Sequence, residues 1–269
     1  MSNRPRQTEL SDCCINMPFV ICIPLANLIR MRIIPSFRGY VDVKFQACNE
    51  MPAKLHKLDQ SPAGRAAMMA CEIFNFPVEM VDGDVVIKDP ENDESEILKR
   101  SSQFAIPVLE DGELTVMDGH EILPYLGDKY GNDSSFYPKD EEKRSVVDER
   151  MMLSTGILFL KLCSATYPVL EEGKSGPADE DLKEIEEAYT YLEEYLTQSK
   201  YLAGDEITIA DVAAIADVTS LVYVLPVDAA KFPKIQAWIE DMEKQPFCQK
   251  YNAPGAELLG KLYKEKIGA

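Results

Sequence analysis

Between residues 54 and 131 the chain signals five elements in a single order, and that order constrains the fold more than any other feature of the sequence. The alternating run Lys54-Leu55-His56-Lys57-Leu58 reads as a strand. It leads into Asp59-Gln60-Ser61-Pro62-Ala63-Gly64-Arg65 and then an apolar helical stretch to about residue 74. Ser61 can cap this helix, and Pro62 suits its first position, where no N–H is required. Residues 78–86 read as a second strand interrupted at Asp82-Gly83, and residues 89–100 as a charged loop or short helix. Residues 106–109 and 114–117 flank Asp111-Gly112, which predicts a hairpin. Asp118-Gly119-His120 then opens a helix to about residue 130, which Pro124 should kink by removing one backbone bond. Each junction offers backbone donors or an acid where a small peptide-like anion can bind.

Strand, turn, helix, hairpin and helix is the order of a thioredoxin-type domain. We therefore expect an α/β thioredoxin-like domain with a mixed four-stranded sheet over residues 51–131. A Gly-, Asn-, Ser- and Pro-rich linker follows at 132–138. Residues 139–269 should form an all-α helical bundle, with one long helix over 141–165 and further helices over 181–197, 209–223 and 233–244. In the second of these, Leu182, Ile185, Tyr189, Leu192 and Leu196 recur at helical spacing. Thr208 and Asp211 form the start signal of the third, with Ile207 placed to staple onto Val212.

The chain has 269 residues, enough for two domains. Its net charge of −18 argues against nucleic acid and against anionic membrane surfaces as partners. Seven cysteines are scattered without a Cys-x-x-Cys, and only two histidines are present, so no metal site is expected. Such cysteines suit reduced thiols in the cytoplasm. Residues 1–50 differ from the rest and read as a disordered extension separate from the fold. Their apolar run, 15–29, is short and broken by Asn16, Pro18, Pro24 and Asn27, which argues against a membrane helix. Arg4 and Arg6 precede it as in a signal peptide, but Glu9 and Asp12 and the absence of a clean cleavage site argue otherwise. Met51 could itself be a start.

Several motifs now fall into line. They are Ser61-Pro62-x-x-Arg65, Ile106-Pro107-Val108-Leu109, and the acid Asp118 opening a helix. Asp128-Lys129-Tyr130-Gly131 stands ahead of Tyr137-Pro138, and Tyr201-Leu202-Ala203-Gly204-Asp205 ahead of Thr208-Ile209-Ala210-Asp211. Together, over about residues 53–265, they resemble the cytosolic glutathione S-transferases of insect delta/epsilon type. The resemblance implies a homodimer that uses glutathione as co-substrate and holds no permanent cofactor. It implies that Ser61 donates to glutathione's sulfur and favours the thiolate. It also implies that Pro107 is cis and exposes the Ile106 backbone to the cysteinyl part of the ligand. Asp118 would hold the γ-glutamyl amine, and the N–H of Gly119 would face the neighbouring carboxylate.

Met152, Gly156, Phe159 and Leu162 recur along the long helix and are candidates to line an apolar second-substrate site. The same spacing also suits a core face. Four positions depart from the family pattern. Gly119 stands where the family has Ser, Phe104 where epsilon-type members have His, and Asn92, within the acidic run 91–96, near a second family His. Cys163 falls near an expected Arg, with Lys161 close by. A charged hydrogen bond lost at such a site costs about 1.5–3 kcal/mol. The expected function is conjugation of glutathione to apolar electrophiles, in detoxification or lipophile metabolism. The alternative is a weakly catalytic or non-catalytic carrier of hydrophobic ligands on the same fold.

Overall fold

The computed structural model describes residues 30–34, 42–46, 52–83, 106–132 and 134–268. Phe104, Asn92 and the expected loop at 89–100 lie outside them. Two compact units are present, Met1–Glu50 and Met51–Ala269. In the first, β1 (Arg30–Ile34) pairs antiparallel with β2 (Asp42–Gln46).

The second unit opens with β3 (Ala53–Lys57), α1 (Pro62–Ile73) and β4 (Val78–Asp82), followed by β5 (Val108–Asp111), β6 (Leu114–Met117) and α2 (Gly119–Tyr130). Four strands form a mixed sheet in the order β4-β3-β5-β6. β3 runs parallel to β4 and antiparallel to β5, and β5 and β6 form the hairpin expected at Asp111-Gly112. Gly112 sits at φ +65°, a conformation open to glycine without penalty. The Asp111 carboxylate ties the hairpin to α2, accepting from Tyr125, Lys129 and Tyr130 at 2.7, 2.7 and 2.6 Å. α2 runs unbroken through Pro124, which lacks only the one backbone donor.

α1 carries Ala63, Ala66, Ala67 and Ala70, all buried. Small side chains let this helix approach others closely, and it packs on both α2 and a central helix of the second half. That half comprises α3 (Glu141–Leu153), a π turn (Ser154–Leu158), α4 (Phe159–Leu170), α5 (Asp179–Gln198), α6 (Ile209–Leu221), α7 (Pro233–Met242), a second π turn (Cys248–Asn252) and α8 (Ala253–Ile267). α3, its π turn and α4 together form the expected long helix, which reaches Leu170 instead of stopping near 165. This stretch is long and apolar enough to cross a membrane. However, Val147, Met151, Leu153, Leu158, Leu162, Ala165 and Val169 are packed inside the protein. The π turn matters for function, because a wider turn rotates the residues after it relative to those before.

α6 is buried at every position from Ile209 to Leu221, as expected of a helix at the centre of a bundle. Two of its residues are acids, Asp211 and Asp217, and burial obliges each to find partners. Asp211 accepts from the backbone N–H groups of Leu202 and Thr208, the Thr208 hydroxyl and the Trp238 indole N–H, all at 2.9–3.0 Å. The Thr208 hydroxyl donates to Asp211, and the Asp211 carboxylate bonds back to the Thr208 N–H as the expected capping pair requires.

Candidate active site

The site grows from two helix starts. Ser61 caps α1 with extended backbone geometry, and its Oγ accepts the Gly64 N–H at 3.2 Å. That bond uses an oxygen lone pair. Among the described residues nothing takes the hydroxyl hydrogen, so Ser61 is free to donate it outward at the positive end of a helix. Gly64 is dictated by closeness, since a Cβ there would lie 2.7 Å from the Leu58 carbonyl oxygen.

Asp118 caps α2 from the left-handed region, at φ +73°, and its Oδ1 accepts the His120 N–H at 2.9 Å. The side chain is about half exposed, leaving an open face for a ligand cation. Its hydrogen bond with the His120 side chain, aided by the His120 backbone N–H, holds the carboxyl below the usual aspartate range against the effect of partial burial. Asp118 is thus an exposed, ionised acceptor.

Gly119 joins the two helix starts. A Cβ on it would lie 2.4 Å from the Ala63 carbonyl oxygen and 2.9 Å from the Ala63 Cβ. The lack of a side chain at Gly119 is what lets the first turns of α1 and α2 approach this closely. A hydroxyl at this position would require the backbone to move. The Ile106–Pro107 peptide bond is cis, with Ile106 half-buried and Pro107 buried at the entrance to β5.

The apolar candidates separate. Met152 is 65% exposed, Gly156 faces open space and Phe159 is half-buried, its ring set edge-on to His120 at 6.0 Å between centroids. Leu162 is 3% exposed and packs in the core, the other of the two places its spacing allowed. On α4, directly after the π turn, the exposed large apolar residues are Leu160 and Tyr167. Cys163 is partly buried, and desolvation together with Asp217 pushes its thiol up to about 11. Lys161 cannot stand in freely for an arginine, because its ammonium is paired with Glu184 at 2.8 Å.

One part of the site was not foreseen from the sequence. Behind Asp118, His120 is buried and bridges two oxygens: Nδ1 lies 3.2 Å from Asp118 Oδ1 and Nε2 lies 3.0 Å from Ser154 Oγ. The Ser154 hydroxyl, on the π turn, donates to Asp217 on α6. Burial pushes Asp217 up to about 6, and His120, Ser154 and Arg65 resist that rise. An acid in the middle of an otherwise apolar helix is a visible sequence signal, and it could have prompted a search for its partner.

This architecture and site can be set beside known proteins. Residues 140–246 match the glutathione S-transferase C-terminal domain family. The chain is 36% identical over 218 residues to glutathione S-transferase 1 of Manduca sexta, covering 81% of this chain and 100% of that one. Among solved structures it resembles an epsilon-class glutathione S-transferase from the housefly, Musca domestica. The identity is 37%, the TM-score 0.75, and the match covers 80% of this chain and 98% of that one. It also resembles a glutathione transferase homologue from Drosophila mojavensis, solved with bound glutathione, at 36% identity and a TM-score of 0.74. That match covers 80% of this chain and 97% of the other.

Proposed function

The chain belongs to the glutathione S-transferase family, and on that premise we propose that it joins the sulfur of reduced glutathione to apolar electrophiles. A free thiol with a pKa near 8.5 is mostly protonated at neutral pH. The Ser61 hydroxyl, donating to sulfur at the N-terminus of α1, favours loss of the thiol proton to solvent. The thiolate's electron pair then attacks the electrophilic carbon, forming a C–S bond as the leaving group departs or the π bond opens.

Asp118 takes the γ-glutamyl ammonium, and the Gly119 N–H faces the adjacent carboxylate. The Ile106 backbone, turned outward by cis-Pro107, pairs with the cysteinyl part. Met152, Gly156 and Phe159 form the apolar wall for the second substrate. We read the protein as a cytoplasmic homodimer acting in detoxification or lipophile metabolism.

The observation that carries this reading is the contact of two helix starts at Gly119 and Ala63. It sets a free hydroxyl donor and an ionised acid on neighbouring turns. The test is retention on immobilised glutathione followed by conjugation of an aryl halide, with wild type and Ser61→Ala compared. Neither retention nor conjugation in the folded wild type would sink the reading. Retention without conjugation would indicate a carrier.

A further inference from the structure

Ser61 closes a tight turn, Leu58–Ser61, in which its N–H donates to the Leu58 carbonyl at 3.1 Å. Asp59 and Gln60 are the central residues of that turn, and the start of the last helix governs the carbonyls of both. The Gln60 carbonyl accepts from Arg65 Nη1 at 2.8 Å. That guanidinium is aimed in turn by Asn252, at the end of the second π turn, whose Oδ1 accepts from Arg65 Nε at 2.9 Å. Arginine only donates, so the Asn252 amide nitrogen faces the other way, and it donates to the Thr219 hydroxyl at 3.1 Å. The Asp59 carbonyl is held by contact. Gly255, buried in the first turn of α8, lies so close that a Cβ on it would stand 2.1 Å from the Asp59 carbonyl oxygen and 2.5 Å from Arg65 Cδ. Asn252 and Gly255 are three residues apart and share one helical face.

We infer that the start of α8 aims Ser61: Gly255 and Asn252 are positioning residues that fix the turn from which its hydroxyl meets the glutathione sulfur. The inference rests on the role given to Ser61 above. Among the described residues, the Ser61 side chain has one hydrogen bond, from the Gly64 N–H, so the backbone of the turn decides where the hydroxyl points. Hydrogen bonds weaken steeply with misalignment. A misplacement of about 1 Å at a reacting group costs up to about a hundredfold in rate. A side chain at Gly255 needs about 3 Å of clearance from the Asp59 oxygen and finds 2.1 Å, so the turn or the helix must shift by close to 1 Å. Gly260, five residues further along α8, is just as crowded, but by the Tyr223 ring at 2.2 Å and not by the turn.

Gly255→Ala and Gly260→Ala therefore form a matched pair. Ultraviolet absorbance of the bound thiolate is followed against pH in the full chain, beside calorimetry with S-methylglutathione, which has no thiol to ionise. Gly255→Ala should raise the thiol's titration by about one pH unit and cut turnover of an aryl halide at pH 7 by up to about tenfold, with recovery as pH rises. Its affinity for S-methylglutathione should stay within about twofold of wild type. Gly260→Ala should melt at lower temperature and titrate as wild type does. Asn252→Ser keeps an acceptor but shortens its reach to Arg65, and should move the titration the same way by less. A folded Gly255→Ala protein with a wild-type titration, or an equal shift in Gly260→Ala, overturns the inference; a shift in Ser61→Ala beside it leaves the role of Ser61 intact. Should Gly255→Ala not fold, a wild-type titration in Asn252→Ser overturns it instead. A titration that Ser61→Ala also leaves unmoved removes Ser61 from the chemistry, and the inference with it.

Discussion

The Arg65 guanidinium donates from Nε to Asn252 Oδ1 at 2.9 Å, joining the first helix of the sheet half to the turn that starts the last helix of the bundle. Arg65 is fully buried, and it also donates to the carbonyls of Gln60 and Ala216 and to the Ser220 hydroxyl at 2.6–2.8 Å. Desolvation lowers it to about 10, with Asp217 opposing the fall. It remains charged at neutral pH, and four acceptors from three segments depend on it.

Arg65→Ala should therefore destabilise the protein by about 3–5 kcal/mol, since it removes four hydrogen bonds of a buried side chain at once together with a positive charge facing Asp217. Arg65→Lys should rescue little, because a single ammonium cannot span the same fork. Urea denaturation measures both. A loss under about 1 kcal/mol for Arg65→Ala would show that water satisfies the acceptors instead.

Gly119→Ser adds a hydroxyl beside Asp118, yet tighter glutathione binding is not expected here. The new Cβ meets the Ala63 carbonyl at 2.4 Å, so the α1–α2 contact must open. A stability loss of about 1–3 kcal/mol and equal or weaker binding should follow. Calorimetry with glutathione and a thermal melt decide the matter. A stable variant with tenfold higher affinity would mean the two helix starts yield easily.

Ser61→Ala removes the outward hydroxyl and the lone pair that receives the Gly64 N–H. The bound thiol should lose about 1.5–3 kcal/mol of preference for its anion, raising its pKa by about 1–2. Turnover at pH 7 should fall by at least roughly tenfold and recover as pH rises. Ultraviolet absorbance of the bound thiolate against pH provides the readout. An unmoved titration removes Ser61 from the chemistry.

Asp217 also makes a signed prediction for stability. Its folded value, about 6, lies above the ordinary 3.8, so the folded protein holds this proton more tightly than the unfolded chain. The stabilisation is present at low pH and is lost as pH rises from near 3.8 to about 6, by up to about 3 kcal/mol. Asp217→Asn removes the titration. Measured against wild type, the variant should thus become relatively more stable as pH increases across that interval. Parallel melting curves for the two proteins from pH 4 to 7 would count against a raised Asp217.

A chain beginning at Met51 should fold and conjugate glutathione like the whole. Met51–Ala269 is a compact unit, and the Manduca sexta relative aligns over its full length with 218 residues of this chain. Comparing melting temperature and specific activity with and without residues 1–50 tests this. A large drop in either would assign the segment to the working protein.

The local signals were legible in sequence because each rests on a single residue's chemistry. Ser61 before Pro62 starts α1, Asp111-Gly112 turns the hairpin, Asp118 opens α2, the order of elements implied the mixed sheet, and the family resemblance implied the cis bond at Pro107. Helical spacing also marked Ile185, Tyr189, Leu192 and Leu196 as a buried face. It could not separate Leu162, in the core, from half-buried Phe159, because residues three apart share a helix face and their spacing does not say how deeply each is covered. Nor could it show that Gly119 is held by Ala63, 56 positions earlier, or that His120 reaches Asp217 through Ser154. Those relationships depend on how closely α1, α2, the π turn and α6 pack. A one-dimensional pattern records which face of an element is apolar, but the partner across the interface is chosen only when the elements close on one another and every buried charge must find its counterpart.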